Sequence, residues 1–346
     1  MKNKALVVLF LTIFLDLMGF GLIIPILPIY AKTLGATDAM VGLLGASFSI
    51  MQFIFASFWG GLSDRYGRRP IMLISISIMI VAYILFANAT VLWLLFATRL
   101  LKGFGAANLS VAQAYISDVV PVEKRTKAFG IIGAAFGLGF IFGPSIGGIV
   151  NEFYGVSGVG YFAAALGALN LVLAWFFLDE TLKVKSTTVQ LFPNPFKDII
   201  QFRDIPEVNA LFTINFVYVL GFSMMQITST LLWAEHFGLS ELHIGYTFAY
   251  IGVLAVVIQG GLIGYFNTWF GEKNLLFFGT ILVSMGLFSM PFVPTDKFYL
   301  ELVSMTLLSF GNALLTPTVS TLLTTYAPYD AQGKILGTNQ SVGSLA

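Results

Sequence analysis

The stretch Gly60-Gly61-Leu62-Ser63-Asp64-Arg65-Tyr66-Gly67-Arg68-Arg69-Pro70 sets three arginines and one carboxylate in a run short enough to be a single tight turn. Gly67 has access to the positive φ that such a turn needs, and Pro70 suits the first turn of a following helix. Apolar runs lie on either side, Met40 to Leu62 and Ile71 to Ala89. Each is close to the ~20 residues that a helix needs to cross a hydrocarbon core of about 30 Å. The string reads as a charged connection between two membrane spans.

The rest of the chain repeats this pattern. Of its 346 residues 57% are hydrophobic and only 10% charged, with a mean hydropathy of +0.88. These values exclude an ordinary water-soluble domain. Further spans are expected near Ala5 to Tyr30, Val91 to Tyr115, Ala128 to Val150 and Tyr161 to Leu178. The first follows Met-Lys-Asn-Lys like a signal peptide, but it runs to about Pro28 without a small-residue cleavage site, so it reads as a retained span. Residues 179–207 carry Lys183, Lys185, Lys197, Arg203, Pro193, Pro195 and Pro206 and read as a linker between two halves, 1–178 and 208–346. The second half has spans near Val208 to Trp233, Ile244 to Phe266, Leu275 to Phe292 and Phe298 to Leu323, and an eleventh begins at about Ile335. The chain stops at Ala346, which predicts an incomplete second bundle and a protein roughly 50 residues longer, each span taking about 20. The fold class expected is an all-α membrane protein of two six-helix bundles, with a site between them near the midplane.

Placing the N-terminus in the cytoplasm and alternating sides at each span puts about 14 of the 18 Lys and Arg residues on the cytoplasmic face. Only Lys32 and Lys297 fall outside, while Arg99 and Lys102 lie within the fourth span. There are no cysteines, so disulfides and thiol chemistry are excluded. His236 and His243 have no metal-ligand spacing around them, and nothing suggests a nucleic-acid surface. Lys297 and Glu301 read as an interfacial i,i+4 pair at the start of the tenth span.

Charges inside a bilayer are expensive and therefore point to function. Asp16 lies roughly 16 Å past the inner boundary of its span and Arg99 roughly 12 Å from the outer boundary of the fourth, so both are near the midplane. Dehydration favours a carboxylate's neutral form and a neighbouring guanidinium its ionised form, so a movement that separates the two groups can load and release a proton. The alternative is a static pair that fixes helix packing. Lys102, one turn after Arg99, either faces the cavity or reaches back to the surface.

The ordered string at Gly60, Asp64, Arg65, Gly67, Arg68 and Arg69 resembles the loop signature of the major facilitator superfamily, where this loop is a cytoplasmic gate. The resemblance implies that Asp64 sits by the N-terminus of the eleventh span, near Gly337, and that opening breaks the contact. Asp16-Leu-Met-Gly19-Phe-Gly21 through Pro25 and Pro28, and Arg99-Leu-Leu-Lys-Gly103-Phe-Gly105 followed by Asp118 and Arg125, are similar to drug/proton antiporters. Gly139, Gly143, Pro144, Gly147 and Gly148 look like the motif that marks exporters, in which glycines four apart let helices approach closely. The wording of the first span, the Ile116-Ser-Asp118 to Arg125 loop and Gly271-Glu272-Lys273 look most like the tetracycline-efflux branch. That branch also has acidic residues in its third and ninth spans; here Ile71 to Ala89 and Leu275 to Phe292 contain none.

The function expected from the resemblance is proton-coupled efflux of a small apolar or cationic compound, a drug such as tetracycline, by alternating access. The protein is expected in a bacterial inner membrane, as a monomer with an N-terminus in the cytoplasm. Its partners are a small-molecule substrate, protons and lipid; it needs no cofactor and is not an enzyme. Polar candidates for the cavity are Gln52, Asn108, Gln113, Asn170, Asn215, Gln226 and Asn312, each of which can equally bond a neighbouring helix. A metabolite carrier of the same fold stays open as an alternative. A membrane enzyme or scaffold is a remote one, since no metal motif, nucleophile constellation or phosphate loop occurs.

Overall fold

A computed structural model describes residues 2–24, 26–106, 108–185, 194–202, 204–239 and 241–346. The side chains of residues 2–5, 140, 226–228, 230, 231, 234, 235, 241, 242, 244, 245 and 329 lie outside that description. The regular structure among these residues is helical throughout. Seven runs of helix are long and apolar enough to cross a membrane.

The first half opens with α1 (Lys2–Ile23), α2 (Ile26–Thr33), α3 (Asp38–Tyr66) and α4 (Arg68–Ala87). Thr37 caps α3, its hydroxyl accepting the Met40 amide at 3.3 Å, and Gly67 ends it with φ 115°. The fourth span is not one helix but α5 (Leu92–Phe104) and α6 (Asn108–Val119). The carbonyls freed at the break are taken up elsewhere: the Trp59 indole donates to Phe104 O at 2.6 Å and the Ser75 hydroxyl to Gly105 O. Such side-chain rescue is what makes a broken helix tolerable inside a membrane protein.

α7 (Val122–Phe177) has 56 residues, which would reach about 84 Å as a straight rod, far beyond a bilayer. It folds at Gly155, whose backbone turns to φ 67°, ψ −176°, and so makes two passes. Its first pass lies along α1 through small residues: a methyl on Gly143 would stand 2.7 Å from the Gly21 Cα, and one on Gly147 would stand 3.0 Å from the Leu22 Cα.

α8 (Pro195–Gln201) sits between the halves, within the stretch that reads from sequence as a linker. The second half contains α9 (Pro206–Leu231) with a π-helical end at Leu232–His236, and α10 (Glu241–Ala255) with a π-helical continuation at Val256–Leu262. It continues with α11 (Ile263–Ser289), α12 (Phe298–Tyr326) and α13 (Gln332–Leu345). α11 bends at Gly271, φ 73°, which separates the pass that continues from α10 from the one that follows it.

The cores follow the halves. Leu9, Met72 and Tyr115 centre one cluster of the first half, while Leu323, Ile335 and Leu336 centre one of the second, which also takes in Ala114 of α6. The interfacial pair expected for Glu301 does not form. Glu301 is fully buried and accepts the Trp233 indole N–H at 2.8 Å, because its face of α12 turns inward while Lys297 and Tyr299 stay exposed.

Candidate functional site

Two polar clusters stand out, one at the end of the bundle that carries the 60–70 turn and one deeper inside the first half.

At the turn, Asp64 accepts Arg68 Nη1 at 2.6 Å. Across the boundary between the halves it also accepts the backbone N–H groups of Gly333 at 2.8 Å and Lys334 at 2.7 Å. These amides belong to the first turn of α13 and have no carbonyl partner in their own helix, so one carboxylate both caps α13 and offsets its positive end. The contact lies one turn earlier than the expected Gly337. That glycine serves packing instead: a methyl there would stand 2.9 Å from the Ser57 Cα of α3. Gly60 does the same from the other side, against the Gly333 backbone.

Arg68 is the hub of this cluster. It has no exposed surface and spreads its guanidinium over Ser63 Oγ at 2.7 Å, Asp64, and Asp118 Oδ2 at 2.9 Å. A planar fork with five donors suits this task, where an ammonium does not. Sequence reasoning missed Glu180, whose carboxylate accepts the Arg68 and Arg69 amides at 3.0 and 3.1 Å and caps α4. A methyl on Gly67 would collide with that carboxyl group, which with the positive φ explains the glycine. Arg65 lies over the Tyr66 ring, and Arg69 donates to Trp175 O at 2.6 Å. Arg125 donates to Ser117 O at 2.7 Å and, across the halves, to Thr324 O at 3.4 Å.

Deeper inside, Asp16 of α1 stands near Asn108 and Lys102 of the broken fourth span. Among the described residues neither Asp16, Arg99 nor Lys102 forms an ion pair within 4.0 Å. Lys102 is buried and does not reach back to the surface: its Nζ donates to Tyr83 Oη at 3.0 Å and lies over the Phe20 and Tyr83 rings. Arg99 rests on the Phe48 ring, 4.9 Å from its centroid, and its buried Nε has no partner. A small cavity opens here, lined by Ile23, Tyr83, Phe86, Thr98, Arg99 and Lys102. Tyr83 is a second residue that sequence reasoning passed over. Gly19, one turn beyond Asp16, is its only forewarning: a methyl there would stand 2.8 Å from Tyr83 Oη.

The remaining candidates divide. Gln52 accepts the Ser344 hydroxyl at 2.7 Å and Gln113 donates to Ser320 at 3.3 Å, so both bridge the halves. Asn170 donates to Thr12 O, Asn215 to Asn339 O, and Asn312 accepts Tyr218 and Thr316 hydroxyls, all within one half. The side chain of Gln226 lies outside the described residues, as do Pro25 and Arg203. In the Gly139 to Gly148 motif, Gly139, Gly143 and Gly147 face α1, while Gly148 faces open space.

Residues 9–346 match the family model of the Major Facilitator Superfamily. The chain belongs to that superfamily. Among its curated relatives are the class C tetracycline resistance protein of Escherichia coli and Multidrug resistance protein 2 of Bacillus subtilis (strain 168). The first is 31% identical over 99% of this chain and 87% of the relative, the second 30% identical over 99% and 86%. Of solved structures, the human organic anion transporter MFSD10 (TETRAN) superposes with a TM-score of 0.87 at 24% identity, covering 99% of this chain and 91% of that one. The proton:xylose symporter XylE superposes with 0.77 at 16% identity, over 99% and 86%. At such identities these two structures speak to the fold: all-helical, membrane-spanning and of the major facilitator type.

Proposed function

We propose that this chain exports small apolar or cationic drug-like compounds, such as tetracycline, from a bacterial cell in exchange for protons. The observation that carries the reading is Asp16: a carboxylate inside the bundle with no ion pair among the described residues, near a buried lysine whose ammonium meets a phenol and two aromatic rings. A group so placed is not committed to a static partner, which is what proton loading and release require. Its relatives among tetracycline and multidrug resistance proteins support the cargo class. The excess of Lys and Arg on the turn side supports an orientation with the N-terminus and the Asp64 latch in the cytoplasm, in which the cytoplasmic mouth is shut. Both halves lie in one chain, and the protein works as a monomer without a cofactor or a catalysed covalent step.

The test is uptake into inverted membrane vesicles containing the protein, with an imposed proton gradient and with tetracycline and a cationic dye compared. Gradient-driven accumulation of either compound is expected. Accumulation of neither would overturn the export reading and favour a metabolite carrier of the same fold.

A further inference from the structure

The short helix between the halves is built into the latch. The Asn194 side chain caps α8 by accepting the Lys197 amide at 2.9 Å, and Asp198 and Gln201, three residues apart, share one face of it. Asp198 is 1% exposed. Its Oδ2 accepts the Ser57 hydroxyl of α3 at 2.7 Å, and its Oδ1 lies 3.0 Å from the Lys334 Nζ of α13. That ammonium also donates to Gln201 Oε1 at 2.5 Å, and Ser57 in turn is 3.1 Å from the Thr338 hydroxyl. Lys334 is therefore held by two carboxylates, its main-chain N–H by Asp64 and its side chain by Asp198.

When α3 and α13 separate, Asp198 cannot follow both. Phe202, immediately after α8, is buried in the core of the second half against Phe212, their rings 6.3 Å apart and nearly perpendicular. The hold on the first half is slighter: the exposed Phe196 edge-on to Phe53, and the single hydroxyl bond from Ser57. The ammonium of Lys334 supplies a full compensating charge that the Ser57 hydroxyl does not, and a buried carboxylate that lost its cation would be left uncompensated.

We propose that α8 travels with the second half and that Asp198 is a positioning residue of the transport cycle. It keeps the Lys334 ammonium neutralised while Asp64 lets go of α13, and it offers Ser57 the contact that shuts the mouth again. This rests on the alternating-access reading, but its test needs no substrate. The protein has no cysteine, so a cross-link by a short bifunctional methanethiosulfonate between cysteines introduced at Gln113 and Ser320, whose side chains meet across the halves at 3.3 Å, reports the shut state. A single Thr126→Cys, buried 3.0 Å from Thr321, reports opening through labelling by an aqueous maleimide.

Asp198→Ala and Asp198→Asn are each expected to lower the cross-linked fraction by about threefold or more and to raise labelling correspondingly. Asp198→Glu should restore both readouts, and Ser57→Ala should shift them in the same direction but less. Parental values for Asp198→Ala and Asp198→Asn would overturn the proposal, as would cross-linking and labelling that fall together, the mark of a purely structural role. Drug uptake measured on the same variants tests the export reading separately.

Discussion

The latch and the inner cluster handle charge in opposite ways. Around Arg68 the partners are close: Asp64 at 2.6 Å, Ser63 at 2.7 Å, Asp118 at 2.9 Å, and the α13 amides beyond, although its Nη2 lacks a hydrogen bond among the described residues. Around Asp16 the cations are buried yet lean on aromatic faces, with no ion pair within 4.0 Å among the described residues. A densely bonded network of ion pairs favours one arrangement; a loosely bonded one has alternatives of similar energy. The first region therefore fits a device that holds a state, and the second a device whose protonation changes it.

Breaking that contrast at its inner end has the largest expected effect. Asp16→Asn should reduce gradient-driven uptake to background while leaving expression and thermal stability near parental. At the latch, Arg68→Ala strands two buried carboxylates, and about 3–5 kcal/mol of stability is expected to go with it, read as a lower melting temperature in detergent. Arg68→Lys should recover only part of this, because one ammonium cannot serve Ser63, Asp64 and Asp118 together. If lysine restores full stability, the forked geometry is not what the site requires.

Packing effects come next. Gly143→Ala pushes a methyl against the Gly21 backbone and should cost about 1–3 kcal/mol, with slower transport measured as initial uptake rate. The smallest effect sharpens the comparison from outside both regions. Asn170→Ala removes one buried bond to Thr12 O and should lower stability by about 1 kcal/mol with uptake unchanged. A transport defect there would mean that the inner cluster extends farther than the residues around Asp16.

Much of this was legible in the sequence because membrane helices announce themselves by length and apolarity, and because the 60–70 string concentrates charge where a turn must be. Asp16 and Arg99 were visible for the same reason, as charges in apolar runs. The pairing was not legible. Among the described residues neither Arg99 nor Lys102 ion-pairs with Asp16; Arg99 rests on Phe48 and Lys102 on Tyr83, partners supplied by other helices that the span's own sequence does not name. Glu180 and Asp198 lie in a stretch that reads as plain linker, and no periodicity tells a loop carboxylate which helix end it will cap. Glu301 read as a rim residue only because its burial is decided by Trp233, 68 positions away.

The central claim is that Asp16 couples protons to movement and is not needed for the movement itself. Substrate counterflow and gradient-driven accumulation, measured side by side in proteoliposomes containing Asp16→Asn, test it most directly. The account predicts that exchange of labelled for unlabelled drug continues at near the parental rate while accumulation against a gradient disappears. Accumulation at the parental level, or loss of both activities in a variant that still folds, would contradict it.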